Sequence, residues 1–280
     1  MNESQIKELK KYSTILRKHI IEEVFSAQSG HPGGSLSCAD ILTVLYFKEM
    51  RVDPKNPKWE DRDRFVLSKG HCSPALYAAL AEKGFFPKEE LVKFRKIDSF
   101  LEGHPSMRYV PGVDMSTGSL GQGISTAVGM AIAGKLDNKD YNVFTILGDG
   151  EIQEGQVWEA FMAAAHYKLD NLIAFLDRNG LQIDGKISEV MSPEPVVDKI
   201  KAFGWHVIVI DGHDFEQIVN AIDEAKKTKG KPTMIIAETI KGKGVSFMEN
   251  QAGWHGSAPN KEQRDTAIAE LDAVLAGLEV

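Results

Sequence analysis

The sequence predicts an α/β fold in which a doubly wound, mostly parallel sheet carries helices on both faces. Two observations support this prediction. Short runs that are almost entirely apolar, as in strands buried on both sides, alternate along the chain with longer segments of helical character. No internal repeat and no linker rich in proline, glycine and serine divides the 280 residues. We therefore expect one domain over 1–280, large enough to bury a sizeable core.

The predicted elements follow one another in a regular order. A long helix over 2–27 stops at the glycine-rich segment 29–34, which we expect to be a non-helical turn, and a helix resumes over 37–50. The predicted strands are 64–68, an apolar run from 141, another from 171, 206–210 and 233–238. The later predicted helices are 74–83, 86–94, 123–136, 153–168, 196–203, 215–229 and 260–280, the last of them amphipathic and expected at an interface. Asp184-Gly185 is assigned to a loop.

Two of these strands and the helix between them form a βαβ unit whose ends carry oxygen ligands. The run from Tyr141 ends in Gly148-Asp149-Gly150, and the run from Asn171 ends in Asn179-Gly180. Parallel strands of one such unit share a sheet, so their carboxyl ends open on the same edge. A carboxylate and a carboxamide suit Mg²⁺ or Ca²⁺, and an incompletely caged Mg²⁺ takes further ligands from water and phosphate. The sequence therefore predicts a Mg²⁺-diphosphate site here, although Gly-Asp-Gly alone is also a common turn in which Asp caps a helix.

Composition and charge narrow the class of protein. The chain is 42% hydrophobic and 26% charged, which is ordinary for a soluble globular protein. A net charge of −7 gives no support to nucleic-acid binding. No run approaches the length of a membrane span, and the charged N-terminus is unlike a signal peptide. Because the two cysteines, Cys38 and Cys72, suit a reducing compartment, we expect a cytoplasmic protein with no nucleic-acid or membrane partner.

Four histidines lie in glycine-flanked turns and are candidates for substrate contacts. They are His31, His71, His104 and His255. A single loop histidine is usually a surface residue, and these lack the spacing of a zinc site, but as a group beside a sheet edge they suit hydrogen bonding to hydroxyls, carbonyls or phosphates. The glycine-rich segment 118–123 opens a helix and offers free backbone N–H groups to an anion. Glu154, taken by itself, is typical of a charge that complements a helix N-terminus.

Seven segments together resemble the transketolase family of thiamin-diphosphate enzymes. In chain order they are Ser29-Gly30-His31-Pro32-Gly33, Ser68-Lys69-Gly70-His71, Gly103-His104-Pro105, Thr117-Gly118-Ser119-Leu120-Gly121-Gln122-Gly123, Gly148-Asp149-Gly150-Glu151-Ile152-Gln153-Glu154-Gly155, Asp177-Arg178-Asn179-Gly180-Leu181-Gln182-Ile183-Asp184-Gly185 and Trp254-His255-Gly256. Ser119 stands where many members have proline, a minor departure because the backbone is what matters there. The resemblance covers nearly the whole chain and implies the thiamin-diphosphate-binding fold, in its diphosphate-binding (PP) form.

The resemblance implies a role for each matching residue. Asp149, Asn179 and the backbone carbonyl of Leu181 would bind Mg²⁺, for which Ca²⁺ or Mn²⁺ would substitute. The residues implied to contact thiamin diphosphate are these three together with His71, Gly118, Ser119, Leu120, Gly150, Ile183 and His255. The residues implied to line the ketose channel are His31, His71, His104 and His255. Glu154 would belong to a carboxylate network at a subunit interface, and catalytic roles are implied for it and for the four histidines.

The resemblance also implies a reaction and a partner. Transketolases transfer a two-carbon ketol group from a ketose phosphate to an aldose phosphate, and sugars of the pentose phosphate pathway are the default expectation. The family's pyrimidine-binding and C-terminal domains do not follow in this sequence. We therefore expect a partner C-terminal subunit to supply them, in an α₂β₂ heterotetramer, and the chain to be inactive alone. The alternatives are a subunit of a deoxyxylulose-phosphate synthase-like enzyme, a transketolase for an unusual sugar phosphate, and a non-catalytic cofactor-binding subunit.

Overall fold

A five-stranded parallel sheet forms the centre of the fold. The computed structural model describes residues 1–279. Its strands are β1 Arg64–Leu67, β2 Val143–Gly148, β3 Leu172–Arg178, β4 Leu181–Gln182, β5 Gly185–Lys186, β6 His206–Asp211 and β7 Thr233–Glu238. The sheet order is β1-β2-β3-β7-β6 with parallel neighbours throughout, while β4 and β5 form a separate antiparallel hairpin.

Helices precede, separate and follow the strands. The α-helices are α1 Glu3–Ala27, α2 Pro32–Ser37, α3 Ala39–Val44, α4 Ser73–Lys83, α5 Gln122–Leu136, α6 Gly155–His166, α7 Ile187–Val190, α8 Val196–Ala202, α9 Phe215–Lys227 and α10 Lys261–Glu279. The other helical segments are a π-helix, Leu45–Glu49, and the 3₁₀ helices Gly70–Cys72, Lys88–Lys93, Glu151–Gln153 and Ala252–Trp254. Among the described residues, no helix combines the length and the apolar character needed to cross a membrane. Residue 280, the end of the predicted 260–280 helix, lies outside the described residues.

Except along the edge strand β6, both faces of the sheet are buried, each by a different set of helices. Along β2, Phe144 and Ile146 contribute to a core shared with α1, α3, α4 and α9. Val143 and Leu147 contribute to a second core shared with α5, α6 and α8. This alternation follows from the two-residue period of a strand. The predicted doubly wound, mostly parallel sheet with helices on both faces is therefore confirmed, and the double burial explains why its strands are almost wholly apolar.

The long helix α1 begins at a cap that its sequence encodes. The Asn2 side chain accepts a hydrogen bond from the backbone N–H of Gln5, and the Gln5 side chain accepts one from the backbone N–H of Asn2. This reciprocal capping box satisfies N–H groups that have no partner inside the helix. On its outer side α1 packs against α10, where Arg264 pairs with Glu22 at 2.6 Å. The interface role predicted for the C-terminal helix stays a prediction.

The predicted glycine-rich turn is partly wrong, because Pro32–Ser37 is helical. Proline suits the first position of a helix, where a missing N–H loses no bond and the fixed φ is already helical. Gly33 and Gly34 lie inside this helix, at positions where neighbouring residues leave no room for a side chain. A Cβ would lie 2.8 Å from the Trp254 carbonyl oxygen at the first position and 2.8 Å from the Cys72 sulfur at the second. The two glycines therefore mark close packing.

Other predicted elements differ in form. The helix predicted over 37–50 is divided, since Cys38 separates α2 from α3 and the last turn is a π-helix. The helix predicted over 86–94 is the 3₁₀ helix Lys88–Lys93. Asp184-Gly185 belongs to the β4–β5 hairpin, whose strands are too short to show an alternating pattern. The remaining predicted helices and strands are observed with ends shifted by a residue or two.

Glu23 is a buried carboxyl, and its replacement by glutamine is expected to stabilise the fold. The residue is 0% exposed on α1, and neither carboxyl oxygen makes a hydrogen bond to any group within residues 1–279. Burial raises the pKa of Glu23 well above its usual value. The folded state therefore retains a proton that the unfolded state releases, and stability falls as pH rises from the unfolded pKa towards the folded one. Over that range the difference in the free energy of unfolding between Glu23→Gln and the wild type is expected to grow by roughly 1.4 kcal/mol per pH unit in favour of the variant. Urea unfolding at a series of pH values measures it.

The neighbouring Glu22 provides the matched control. It lies on the same helix, is partly exposed, and pairs with Arg264. Glu22→Gln removes a surface ion pair worth at most about 1 kcal/mol and is expected to show no gain that grows with pH. A Glu23→Gln gain of the same size at every pH would contradict a protonated Glu23.

Candidate active site

The carboxyl ends of β2 and β3 bring Asp149 and Asn179 to one edge of the sheet. The two strands pair in register to the last residue of β2, so the segments that follow them leave the sheet side by side. One carboxylate oxygen of Asp149 accepts a hydrogen bond from the Gly180 N–H at 2.6 Å, and the other accepts one from the Gly150 N–H at 3.0 Å. The two predicted ligand-bearing turns are therefore joined directly.

Asp149 has the environment of a carboxylate that favours a nearby cation. It is 4% exposed, and burial, with the carboxylate of Asp177, raises the pKa of Asp149 to about 7. The carboxamide residue Asn179 and the carbonyl-bearing Leu181 line the same cavity. Within residues 1–279, no group of three or more His, Cys, Asp or Glu side chains is placed to hold a metal. The oxygen donors present fit Mg²⁺, which typically completes its shell with water and phosphate oxygens.

Three of the four loop histidines form a cluster. The ring centroids lie 5.1 Å apart for His31 and His71, 5.5 Å for His31 and His255, and 5.3 Å for His71 and His255. These rings come from the start of α2, from the turn after β1 and from the loop after β7, so three distant segments meet at one place. His104 lies beside Gly118, where a Cβ would be 2.9 Å from the imidazole ring.

Lys241 determines which nitrogen of His255 carries the proton. The lysine Nζ lies 2.9 Å from Nδ1 of His255 and 3.1 Å from the carbonyl oxygen of Leu181. An ammonium group only donates, so Nδ1 accepts and the proton of the neutral ring is on Nε2. The Nε2 N–H is therefore the donor that His255 offers to a ligand. The Leu181 carbonyl keeps a second lone pair, which leaves it able to bind a cation.

The clustered histidines are neutral near pH 7. Burial, and after it the neighbouring cations and histidines, lowers the pKa of His31 to about 4 and that of His255 to about 3. The pKa of His71 is held well below its usual value by burial and then by the charge of Lys69. A neutral imidazole both donates and accepts hydrogen bonds, which suits contacts with the hydroxyl and carbonyl groups of a sugar.

A buried ion pair borders the histidine cluster. The side chains of Lys69 and Asp177 are 2% and 0% exposed and contact each other directly. Lys69 also donates to the Gly34 carbonyl at 2.8 Å, and Asp177 accepts hydrogen bonds from the hydroxyls of Ser37, at 2.6 Å, and Thr239. Burial opposes both charges, but each partner stabilises the other, so the pKa of Lys69 is raised and the pKa of Asp177 is lowered.

Glu151 fixes the glycine-rich loop against the strand ends. Its buried carboxylate accepts hydrogen bonds from the Gly121 N–H at 3.0 Å, from the Gly148 N–H at 2.9 Å and from the Ser68 hydroxyl. These partners lie before α5, at the end of β2 and just after β1. One carboxylate therefore connects three backbone segments that border the site.

One cavity of about 230 Å³ contains most of the predicted site. The predicted residues in its lining are His71, Leu120, Asp149, Gly150, Glu154, Asn179, Leu181, Ile183 and His255. His31 adjoins the cavity through its ring contacts, whereas His104, Gly118 and Ser119 are not part of the lining. Glu154 is exposed at the N-cap of α6, so the carboxylate network predicted for it stays a prediction.

Sequence reasoning missed four charged residues that organise this site. They are Lys69, Glu151, Asp177 and Lys241. Each lies at the carboxyl end of an apolar strand or two to three residues beyond it. A charged residue at the carboxyl end of a buried parallel strand was the available signal, because ligands bind at that edge of such sheets.

The fold and the site define a class of protein: a parallel α/β domain with a pocket of oxygen donors beside neutral histidines. The model of the family described as "Transketolase, thiamine diphosphate binding domain" matches residues 9–271. Because this match covers most of the chain, the chain belongs to the transketolase family and carries its thiamin-diphosphate-binding domain.

Two similar proteins have the length of this chain. The "6-deoxy-6-sulfo-D-fructose transketolase subunit SqwG" of Clostridium sp. (strain MSTE9) is 50% identical over 272 residues, which are 97% of this chain and 98% of that protein. An apulose-4-phosphate transketolase subunit of Phocaeicola vulgatus is 46% identical over 275 residues, 98% of each chain. The prediction of an N-terminal transketolase subunit, and with it of a transketolase, is confirmed.

Single-chain transketolases are also similar but much longer. Human transketolase is 42% identical over 271 residues, which are 96% of this chain and 43% of that protein. The crystal structure of transketolase from Campylobacter jejuni superposes with a TM-score of 0.90 at 37% identity, covering 97% of this chain and 43% of the other. The chain therefore spans about two fifths of the length of these relatives.

Proposed function

We propose that the chain is the diphosphate-binding half of a two-chain transketolase that moves a two-carbon ketol group from a ketose phosphate to an aldose phosphate. The observation that carries this proposal is a single cavity in which oxygen donors suited to Mg²⁺ face neutral histidines. When bound, thiamin diphosphate supplies the chemistry of breaking and forming the carbon–carbon bond. The residues of this chain bind the cofactor, orient the sugar and move protons.

Asp149, Asn179 and the Leu181 carbonyl would hold Mg²⁺, which in turn would hold the diphosphate. The nearby Lys241 adds a positive charge that is 2% exposed and within reach of the same carbonyl. In this place Mg²⁺ would supply a template for the diphosphate. Leu120 of the glycine-rich segment 118–123 and Ile183 of the hairpin lie on the lining of the cavity and would contact the rest of the cofactor.

The histidines would act on the sugar. His255 presents an Nε2 N–H, because Lys241 occupies Nδ1. His31 and His71 pack against it and, being neutral, can donate to one sugar hydroxyl or accept from another. Donors in fixed positions around a developing oxyanion stabilise it without reorganisation. His104 would contact the part of the sugar that lies outside the cavity.

The proposal includes a partner subunit that carries the pyrimidine-binding domain, in an α₂β₂ assembly. Two apolar residues on the lining of the cavity, Leu120 and Ile183, are 37% and 64% exposed. A partner that covered them would bury this surface and complete the pocket. The subunit names of the two relatives of equal length point the same way. A cytoplasmic location is part of the proposal and is supported by two free, buried cysteines.

Two classes of sugar are candidate substrates. Common pentose-phosphate sugars remain the first candidates. The names of the relatives of equal length refer to 6-deoxy-6-sulfo-D-fructose and to apulose 4-phosphate, which favours an unusual sugar as the second candidate.

Co-expression with a candidate partner chain, followed by a ketol-transfer assay, tests the proposal. We expect transfer that requires Mg²⁺, thiamin diphosphate and both chains, and the donor panel should include xylulose 5-phosphate, 6-deoxy-6-sulfofructose and pyruvate. Consumption of pyruvate without ketol transfer would favour the deoxyxylulose-phosphate synthase-like alternative. Cofactor binding without turnover of any donor would favour a non-catalytic subunit. Full activity of the chain alone would contradict the need for a partner.

A further inference from the structure

Arg95 links the two loops that carry His31 and His104. Its Nη1 donates to the Ser29 hydroxyl at 2.7 Å, two residues before the first histidine. The other part of the guanidinium lies against Gly103, one residue before the second histidine, where a Cβ would be 2.8 Å from Nε and 3.0 Å from Cζ. One side chain therefore contacts both loops next to their histidines.

The backbone holds Arg95 in an uncommon conformation to make these contacts. Its φ of 57° is in the left-handed region, and its N–H donates to the Leu101 carbonyl at 2.9 Å. The guanidinium carbon lies 5.3 Å from the centre of the Phe94 ring, which supports the planar group from one side. Such a conformation persists only where the surrounding structure maintains it.

The charge of Arg95 is not neutralised by the part of the chain that the structure describes. Its buried Nε has no hydrogen-bond partner among residues 1–279, and burial lowers the pKa of the group, with only the phenol of Tyr77 acting in the opposite direction. The charge therefore reaches the two neighbouring histidines. It is the largest influence after burial that lowers the pKa of His31 and that of His104.

We propose that Arg95 is a positioning residue that sets the spacing of the His31 and His104 loops and places an unneutralised cation beside both rings. This inference rests on the proposed role of the two histidines in binding the sugar. Its consequence is that the neutral form of both rings is favoured, which keeps an acceptor nitrogen on each ring for substrate hydroxyls. A ring that gained a proton would lose that acceptor.

Other groups also act on these rings, so the contribution of Arg95 has to be separated from theirs. The further groups that face His31 are His71, His104, Lys241 and His255. Burial is the largest cause of the lowered pKa of His104, and the charge of Arg95 is the second. His104 is therefore the clearer reporter of the arginine charge.

Histidine NMR titration of the full chain tests the inference directly, with the signals assigned from His31→Asn and His104→Asn variants. Arg95→Met is expected to raise the pKa of His104, and that of His31, by about 0.5 pH unit or more. Arg95→Lys keeps a cation at the site and is expected to restore most of the difference. Arg108→Met is the matched control, because Arg108 lies in the same segment as Arg95, between the 3₁₀ helix Lys88–Lys93 and α5, and is an exposed cation that stacks on Tyr109. Unchanged pKa values in Arg95→Met, or an equal rise in Arg108→Met, would overturn the proposal.

A second variant covers the case in which Arg95→Met does not fold. Gly103→Ala places a Cβ against the guanidinium and is expected to displace it, giving a smaller rise of the His104 pKa in the same direction. No change of that pKa in Gly103→Ala would count against the arrangement.

In the reconstituted two-chain enzyme, the acid limb of the kcat/KM profile is expected to move to higher pH in Arg95→Met and to return in Arg95→Lys. If Arg95→Met shifts the histidine pKa values but the wild-type two-chain enzyme transfers no ketol group, only the proposed function is refuted. If the wild-type enzyme transfers the ketol group but Arg95→Met leaves the histidine pKa values unchanged, only the positioning role is refuted.

Discussion

Replacing Lys69 with methionine is expected to lower the free energy of unfolding by about 3–5 kcal/mol, because it leaves a buried carboxylate without its counter-ion. The carboxylate of Asp177 is 0% exposed and has Lys69 as its direct cationic partner. Its remaining partners, among them the hydroxyls of Ser37 and Thr239, donate hydrogen bonds but carry no charge. Because methionine fills much of the volume of lysine, the loss of stability is attributed to the removed charge and not to a cavity. Urea unfolding at constant pH measures it.

A double-variant cycle separates the ion pair from the packing around it. Asp177→Asn alone leaves a buried ammonium and is expected to be destabilising by a similar amount. Lys69→Met combined with Asp177→Asn leaves neither charge and is expected to recover most of the loss, which gives a large coupling free energy. Additive losses in the double variant would contradict a coupled pair.

A surface pair on another part of the molecule is the control. Lys93 pairs with Glu90 at 2.7 Å, and the lysine side chain is 54% exposed. Lys93→Met is expected to change the free energy of unfolding by no more than about 0.5 kcal/mol, because solvent screens such a pair. A loss in Lys93→Met as large as that in Lys69→Met would show that burial is not the cause.

The sequence was informative about the meeting of Asp149 and Asn179 because the relevant geometry is local to a βαβ unit. Asp149 and Asn179 end two strands joined by one helix, and parallel pairing forces such ends to meet. Apolar runs predicted the strands for a related reason, since burial on both faces leaves no room for polar alternation. These inferences needed only the order of residues along one stretch of chain.

The buried ion pair could not be predicted in the same way. Lys69 follows β1 and Asp177 lies in β3, which are separated by β2 in the sheet. Their contact depends on the Lys69 side chain passing beside Gly148 at the end of the intervening strand, and hydrophobic periodicity carries no information about that. The helix α2 was missed for a different reason. Gly33 and Gly34 are signals of a turn when read locally, but here they permit close approach of Trp254 and Cys72, which lie far away in sequence or across the site.

Asp149→Asn is expected to weaken the Mg²⁺-dependent binding of thiamin diphosphate by more than about 100-fold, since even supporting residues around a bound metal contribute 10- to 100-fold. The carboxamide keeps one oxygen to accept a backbone hydrogen bond but loses the negative charge. Removal of a buried carboxylate whose pKa is raised to about 7 offsets the lost hydrogen bond. The apo chain is therefore expected to unfold at nearly the wild-type temperature. Mg²⁺ titrations of cofactor binding in the two-chain complex, with thermal unfolding of the single chain, measure the two effects.

Asp184→Asn is the matched control, because Asp184 is an exposed aspartate of the neighbouring hairpin. It is expected to leave both Mg²⁺ dependence and thermal unfolding unchanged. Wild-type Mg²⁺ dependence in Asp149→Asn would contradict a ligand role for Asp149.

The two buried aspartates of this edge, Asp149 and Asp177, differ in the charges around them. Asp177 is paired with a cation of the protein, Lys69. At Asp149 the two largest influences on the pKa are burial and the negative charge of Asp177, and both raise it. The fold thus pairs Asp177 with the internal cation Lys69, whereas Asp149 is the carboxylate that the proposed Mg²⁺ would neutralise.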